Sequence, residues 1–189
     1  MNAARSCRDV WHLMTDVTKN GHIVRNFHQD IRMDEWLVET ELFSREALEA
    51  YTAYNLGREL RPEQRKWFSE QRGGSQGDYR EAMQEKIANV VDCLTRFPAS
   101  KRAVITIPNT ARPQHETDAD AKCMRELHFH REGDTLGATV LFRAQAALIF
   151  PKNIHFIGGL MQDIASRLPG RPRLGVLCYL TSVLVADRQ

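Results

Sequence analysis

The strongest constraint on this chain is a pair of strand-like runs, Met124–Arg131 and Thr135–Arg143, joined by Glu132-Gly133-Asp134. A short connection containing Gly between two such runs predicts a β-hairpin. A sheet must therefore exist, and the helices around it are legible as well. Ile87, Val90, Val91, Leu94 and Phe97 recur at helical spacing, so the spacing predicts a helix over 81–97 with one buried face, ended by Phe97-Pro98. Pro151 opens a second helix whose Ile157, Leu160, Met161, Ile164, Ala165 and Leu168 share a face, and Leu168-Pro169-Gly170 stops it. Ala103–Ile107 and Leu174–Ala186 read as further strands. Helices and strands mix without a regular βαβ alternation, so the expected class is α+β.

The N-terminal part reads as helical. Residues 5–20 form a first helix ended near Asn20-Gly21, and residues 45–70 are helical with a break at Arg61-Pro62. Arg72-Gly73-Gly74-Ser75-Gln76-Gly77 is a loop. It lacks the Lys-Ser/Thr of a phosphate-binding P-loop and does not follow a strand, so it is not expected to cradle phosphate. Residues 109–122, with Pro113 and several Asp, are a polar loop. A chain of 189 residues is long enough for one domain and short for two, so the organisation expected is a single domain over 1–189 with a reduced helical part at about 1–75.

Charge and composition exclude several functions. Lys and Arg total 26 against 24 Asp and Glu, a net charge of +2, which gives no global field for a nucleic-acid polymer or an anionic membrane. Phosphate recognition must come from a few placed cations. No apolar run approaches the roughly 18 residues that span a bilayer, and MNAARSCRDVWHLMTDV has no apolar signal core. The four cysteines, Cys7, Cys93, Cys123 and Cys178, are scattered, which suits free thiols in a reducing cytoplasm.

Cys123 lies ten residues before Gly133 and Arg143 ten after it. In a regular hairpin the two face each other with Cβ atoms about 5 Å apart, and a bulge would shift that pairing by one residue. A guanidinium beside a thiol favours the thiolate, the form a nucleophile needs. The other reading makes Cys123 a small apolar strand residue and Arg143 a surface strand end.

Residues from about 84 onward carry a set of motifs. Lys86-Ile87-Ala88-Asn89-Val90-Val91-Asp92-Cys93-Leu94-Thr95-Arg96-Phe97-Pro98-Ala99-Ser100-Lys101-Arg102 precedes Cys123, Arg143 follows Cys123 by twenty residues, and Phe150-Pro151-Lys152-Asn153 comes next. In order and spacing these resemble the thymidylate synthase and deoxycytidylate hydroxymethylase superfamily. The resemblance implies a thymidylate-synthase-like mixed sheet flanked by helices, a homodimer, and thiolate addition to C6 of a pyrimidine nucleotide. Its C5 then attacks the one-carbon unit of 5,10-methylenetetrahydrofolate. The resemblance implies Cys123 as nucleophile and Arg143 as the phosphate and thiolate partner. It implies Asn153 as the group on the base, with Lys101 and Arg102 reaching the phosphate of the partner subunit. Arg25 resembles the family's N-terminal phosphate-loop arginine. Glu63, ahead of Trp67-Phe68, resembles the catalytic glutamate with the interval off by one.

The chain also departs from that pattern. Ala144 and Ala146 replace the Ser and Asp that follow the family Arg, Leu184 and Ala186 replace the sugar-binding His and Tyr, and Met124 follows the cysteine where His is usual. Each lost hydrogen bond is worth about 1 kcal/mol net, so an atypical pyrimidine substrate is expected rather than ordinary deoxyuridylate. The chain ends at Gln189, just past the last strand, without the family tail that closes over folate. Water capture to a hydroxymethyl product is the expectation in place of reduction to methyl. A specialised nucleoside or natural-product pathway fits such a pocket, and a non-catalytic binding protein on the same fold is the rival.

Other groups carry less. His128 and His130 share a strand face, with His115, Asp118 and Asp120 upstream, but the spacing is generic and no metal site is expected. Arg61, Arg65, Lys66 and Arg72 read as a solvated basic face, and Phe97, Phe142, Phe150 and Phe156 as core.

Overall fold

In a computed structural model the protein is described over residues 3–69, 72, 77–109 and 122–187. The expected loop at 109–122, with His115, Asp118 and Asp120, falls almost wholly outside them, as do Gly73–Gln76. The elements run α1 (Cys7–Val17), β1 (Val24–Arg32), α2 (Arg45–Asn55), α3 (Pro62–Arg65), α4 (Met83–Arg96), β2 (Val104–Thr106), β3 (Met124–Glu132), β4 (Thr135–Phe142), β5 (Gln145–Ala146), α5 (Phe150–Arg167) and β6 (Arg173–Val185). The class is α+β: a mixed sheet flanked by helices. Among the described residues no helix is long and apolar enough to cross a membrane.

The sheet order is β1-β6-β4-β3-β2, with β5 added along the end of β6. β3 and β4 form the expected antiparallel hairpin. β4 and β6 are parallel, which requires a crossover, and α5 supplies it. Almost every position of α5 from Phe150 to Ile157 is buried, because the helix sits between the sheet and the outer helices α2 and α4. At Gly158 a Cβ would overlap the indole of Trp36, so only glycine admits that approach. Helix α1 begins on Ser6, whose hydroxyl accepts from Asp9 N–H at 3.1 Å. It turns Cys7, Val10 and Met14 inward.

One sheet face makes the core: Phe27 and Ile31 of β1, Leu177 and Tyr179 of β6, Ala138, Val140 and Phe142 of β4, and Leu127 and Phe129 of β3 are all buried. The opposite face is open. Val176 and Leu141 are exposed there, and Thr139, Cys178 and Leu180 are half-buried.

The structure corrects several expectations. β1 has no counterpart in the sequence reading; its burial follows Phe27 and Ile31 amid polar residues, and Asn26 has a left-handed φ of 52°. The helical stretch over 45–70 is two pieces, with residues 56–61 non-helical between them. Phe97 is 63 % exposed rather than core, because it caps α4 with a non-helical backbone, φ −135° and ψ 78°, and its ring leaves the buried face. Phe142, Phe150 and Phe156 are core. Arg72 does not join the solvated face of Arg61, Arg65 and Lys66. Its Nε donates to the Leu42 carbonyl at 2.8 Å and its guanidinium lies 5.2 Å from the Trp67 ring centre.

Candidate functional site

The hairpin register decides where Cys123 and Arg143 meet. The loop is a two-residue turn, not three: Glu132 pairs with Thr135, and Gly133 has φ 59°. A glycine with positive φ at the first central position suits the right-handed twist of the strands. That turn alone would set Cys123 opposite Ala144. A bulge between Met124 and Glu126 moves the register back by one, so Met124 pairs with Phe142. The bulged Arg125 turns its guanidinium to Asn109. On the next rung the Arg143 N–H donates to the Cys123 carbonyl at 2.8 Å. The two residues are directly opposed, as the sequence predicts, but through two compensating one-residue shifts.

Cys123 and Arg143 are each half-buried. Cys123 packs at the margin of the core; burial above all, then the neighbouring Tyr79, holds the Tyr51 and Tyr179 phenols protonated, with Cys123 adding a smaller push on each. The Tyr79 hydroxyl accepts from Met124 N–H at 3.4 Å, beside the cysteine. Cys123 is therefore at a rim of the core, neither fully in solvent nor sealed in hydrocarbon.

Two residues beyond Arg143, Gln145 belongs to a buried polar network. Asn153 Nδ2 donates to Gln145 Oε1 at 2.9 Å, the Tyr179 hydroxyl donates to the same oxygen at 2.6 Å, and Gln145 Nε2 donates to the Ala146 carbonyl at 2.6 Å. Lys152 is buried; its Nζ donates to the Arg72 carbonyl at 3.2 Å and stands 4.5 Å from the Tyr51 ring centre. The Tyr51 hydroxyl donates to the Gly77 carbonyl at 2.9 Å. Buried polar groups of this kind fix orientation because a misplaced one is costly. Gln145, Tyr179, Tyr51, Tyr79 and the burial of Lys152 were not found by sequence reasoning. The signal available was proximity to Arg143 and Asn153 along the chain; the tyrosines come from α2, the 77–80 segment and β6.

The other sequence-predicted residues divide. Arg25 pairs with Val183, one residue from the Leu184 that pairs with Gln145, so it lies at the same end of the sheet as Arg143. It is exposed. Lys101 and Arg102 are exposed and lie toward the hairpin-turn end, since Ala103 accepts from Phe129 N–H. Within one chain they are far along the ladder from Cys123. Glu63 is exposed on α3, with its carboxylate 3.3 Å from Arg61 Nε. Ala146 and Leu184 are buried, so these two positions are apolar where the motif comparison expects polar groups.

Behind the network, α5 is tied to α2 by His155. Its Nδ1 is 2.7 Å from Thr52 Oγ1, and the ring is buried. Burial, with Arg45 nearby, pushes its pKa down to about 4, so the ring is neutral.

A mixed sheet with a central crossover helix, flanked by further helices, is a thymidylate-synthase-like fold. The crystal structure of thymidylate synthase from T4 phage superposes on it with a TM-score of 0.69, over 94% of this chain and 75% of that one, at 14% sequence identity. No protein-family model matches the sequence, and no curated protein matches it.

Proposed function

We propose that the protein is a one-carbon transferase acting on a pyrimidine nucleotide or a related ring, with Cys123 as nucleophile. The observation that supports this best is the rung joining Cys123 to Arg143 beside the Asn153–Gln145–Tyr179 network. It sets a thiol, a cation for an anionic substituent and oriented amides at one end of the sheet. The Cys123 thiolate adds to ring C6, and the C5–C6 π pair shifts onto C5 and the C4 carbonyl. C5 becomes the nucleophile that accepts the one-carbon unit. Loss of the C5 proton, its electron pair expelling the carrier's amine from the one-carbon unit, would leave an exocyclic methylene on C5; water, or hydride from the reduced carrier, would add there as Sγ leaves C6 and the ring double bond returns.

Arg143 binds the phosphate and favours the thiolate, with Arg25 at the same sheet end as a second cation. Asn153, held by Gln145, orients the base. Lys101 and Arg102, exposed and remote within one chain, serve the partner subunit of a homodimer. The role of Glu63 as proton carrier requires α3 to turn its carboxylate away from Arg61. When bound, 5,10-methylenetetrahydrofolate supplies an electrophilic one-carbon unit. A cavity of about 510 Å³ lined by Tyr54, Arg58, Glu59, Leu60, Arg65, Phe68 and Arg80 offers rings to stack a flat heterocycle, although Arg58 and Arg80 already pair with Asp163 and Asp78. The product carries a hydroxymethyl or methyl group at C5.

A second reading, a nucleotide-binding protein without catalysis, is favoured by Ala144 and Ala146 beside Arg143 and by a Gln145 carbonyl that already accepts two hydrogen bonds. Solvent exchange at C5 separates the two. Addition at C6 makes C5 exchangeable, so in D2O the H5 proton signal of uridine or cytidine monophosphates decays with the wild-type protein. With Cys123→Ala it persists. Persistence of H5 with the wild type, for every monophosphate that binds, removes the catalytic reading.

A further inference from the structure

We propose a second site, independent of the first: a zinc-class metal centre on the open face of the sheet, formed by His28, Asp30 and Cys178. These residues lie on adjacent strands. Asp30 is directly opposite Cys178 in the β1–β6 ladder, and His28 is two residues before Asp30, hence on the same face. Their ligand atoms all lie within 4.8 Å of one another. His28 Nε2 is 3.4 Å from Cys178 Sγ and 3.4 Å from Asp30 Oδ1.

Those separations are the relevant observation. A tetrahedral zinc with bonds of about 2.0–2.3 Å to N, O and S has ligand–ligand edges of roughly 3.3–3.8 Å. Two edges of such a tetrahedron are already in place, and a small side-chain rotation closes the third. The donor set also fits in charge: a thiolate, a carboxylate and a neutral imidazole sum to −2 and cancel a divalent cation. Sulfur and nitrogen donors exclude calcium and magnesium, which take oxygen shells. On the far side of Cys178, Thr139 occupies the neighbouring rung on β4. It would orient the ligand from behind. The open face leaves the fourth position to water or to a group from solvent. On binding, the Sγ–H bond breaks, an Sγ–metal bond forms, and the proton passes to buffer.

Tag-free protein titrated with Co(II) under reducing conditions tests this. The expected result is saturation at one equivalent, with a thiolate-to-cobalt charge-transfer band and the visible bands of a tetrahedral ion, both displaced by Zn(II). Cys178→Ser loses the charge-transfer band, whereas Cys123→Ser keeps it. His28→Ala and Asp30→Asn weaken binding by at least about tenfold, with thermal unfolding of the metal-free variants confirming that they fold. Absorbance that never saturates, or a charge-transfer band that survives Cys178→Ser or disappears with Cys123→Ser, overturns the proposal.

Discussion

Replacing Arg143 with Met is expected to weaken binding of a pyrimidine monophosphate about a hundredfold while leaving the matching nucleoside unchanged. Methionine keeps an unbranched stem against the strand end and removes only the charged fork. A guanidinium on a phosphate makes charge-assisted, paired hydrogen bonds, and truncating one such partner costs about 3 kcal/mol, the equivalent of that factor. Arg143→Lys should recover part of the loss, because a point charge remains without the planar fork. The backbone rung to Cys123 involves Arg143 N–H, so it survives either change. Calorimetric titration of the nucleotide and nucleoside in parallel checks this. An equal loss for both would mean that Arg143 shapes the cleft rather than receiving an anion.

The second large effect is a loss of stability in mild acid that belongs to His155. Its folded pKa is held near 4 against an ordinary value of 6.5. Between these values the unfolded chain takes up a proton that the folded one refuses. The contribution is therefore fully present above pH 6.5, falls as pH drops toward 4, and levels off below. The total is about 3 kcal/mol. His155→Gln keeps a hydrogen-bonding partner for Thr52 and does not titrate, so its unfolding free energy should lack that slope. Denaturant unfolding from pH 7 to pH 4, read as the difference between the two proteins, checks it. Parallel curves would place the acid sensitivity elsewhere. Because α2 carries Tyr51, acid loosening of the α2–α5 contact also loosens one wall of the candidate cleft.

The sequence was legible where a repeat of polarity coincides with burial. The inward set of α5, from Ile157 to Leu168, is wholly buried because the helix has both a sheet and other helices to pack against. β1 was not legible, since Phe27 and Ile31 are its buried apolar anchors and its remaining positions, Val24 apart, are polar. Cys123 and Arg143 meet as their spacing predicts, yet the reason lies in a turn and a bulge whose shifts cancel, which spacing alone does not reveal. The Gln145–Tyr179 contact and the His28–Asp30–Cys178 cluster join segments far apart in the chain. Both depend on strand register, to which no local pattern gives access. Phe97 shows the converse: its helical spacing continues one residue past the point where the backbone leaves the helix.

The most direct measurement is the intact mass of the protein after incubation with a one-carbon donor and a 5-fluorinated pyrimidine monophosphate, whose C5 carries no removable proton. An added mass that includes the nucleotide, mapping to the peptide containing residue 123 and absent from Cys123→Ser, is the predicted result. An unmodified wild-type mass, under conditions where calorimetry shows the nucleotide bound, contradicts it.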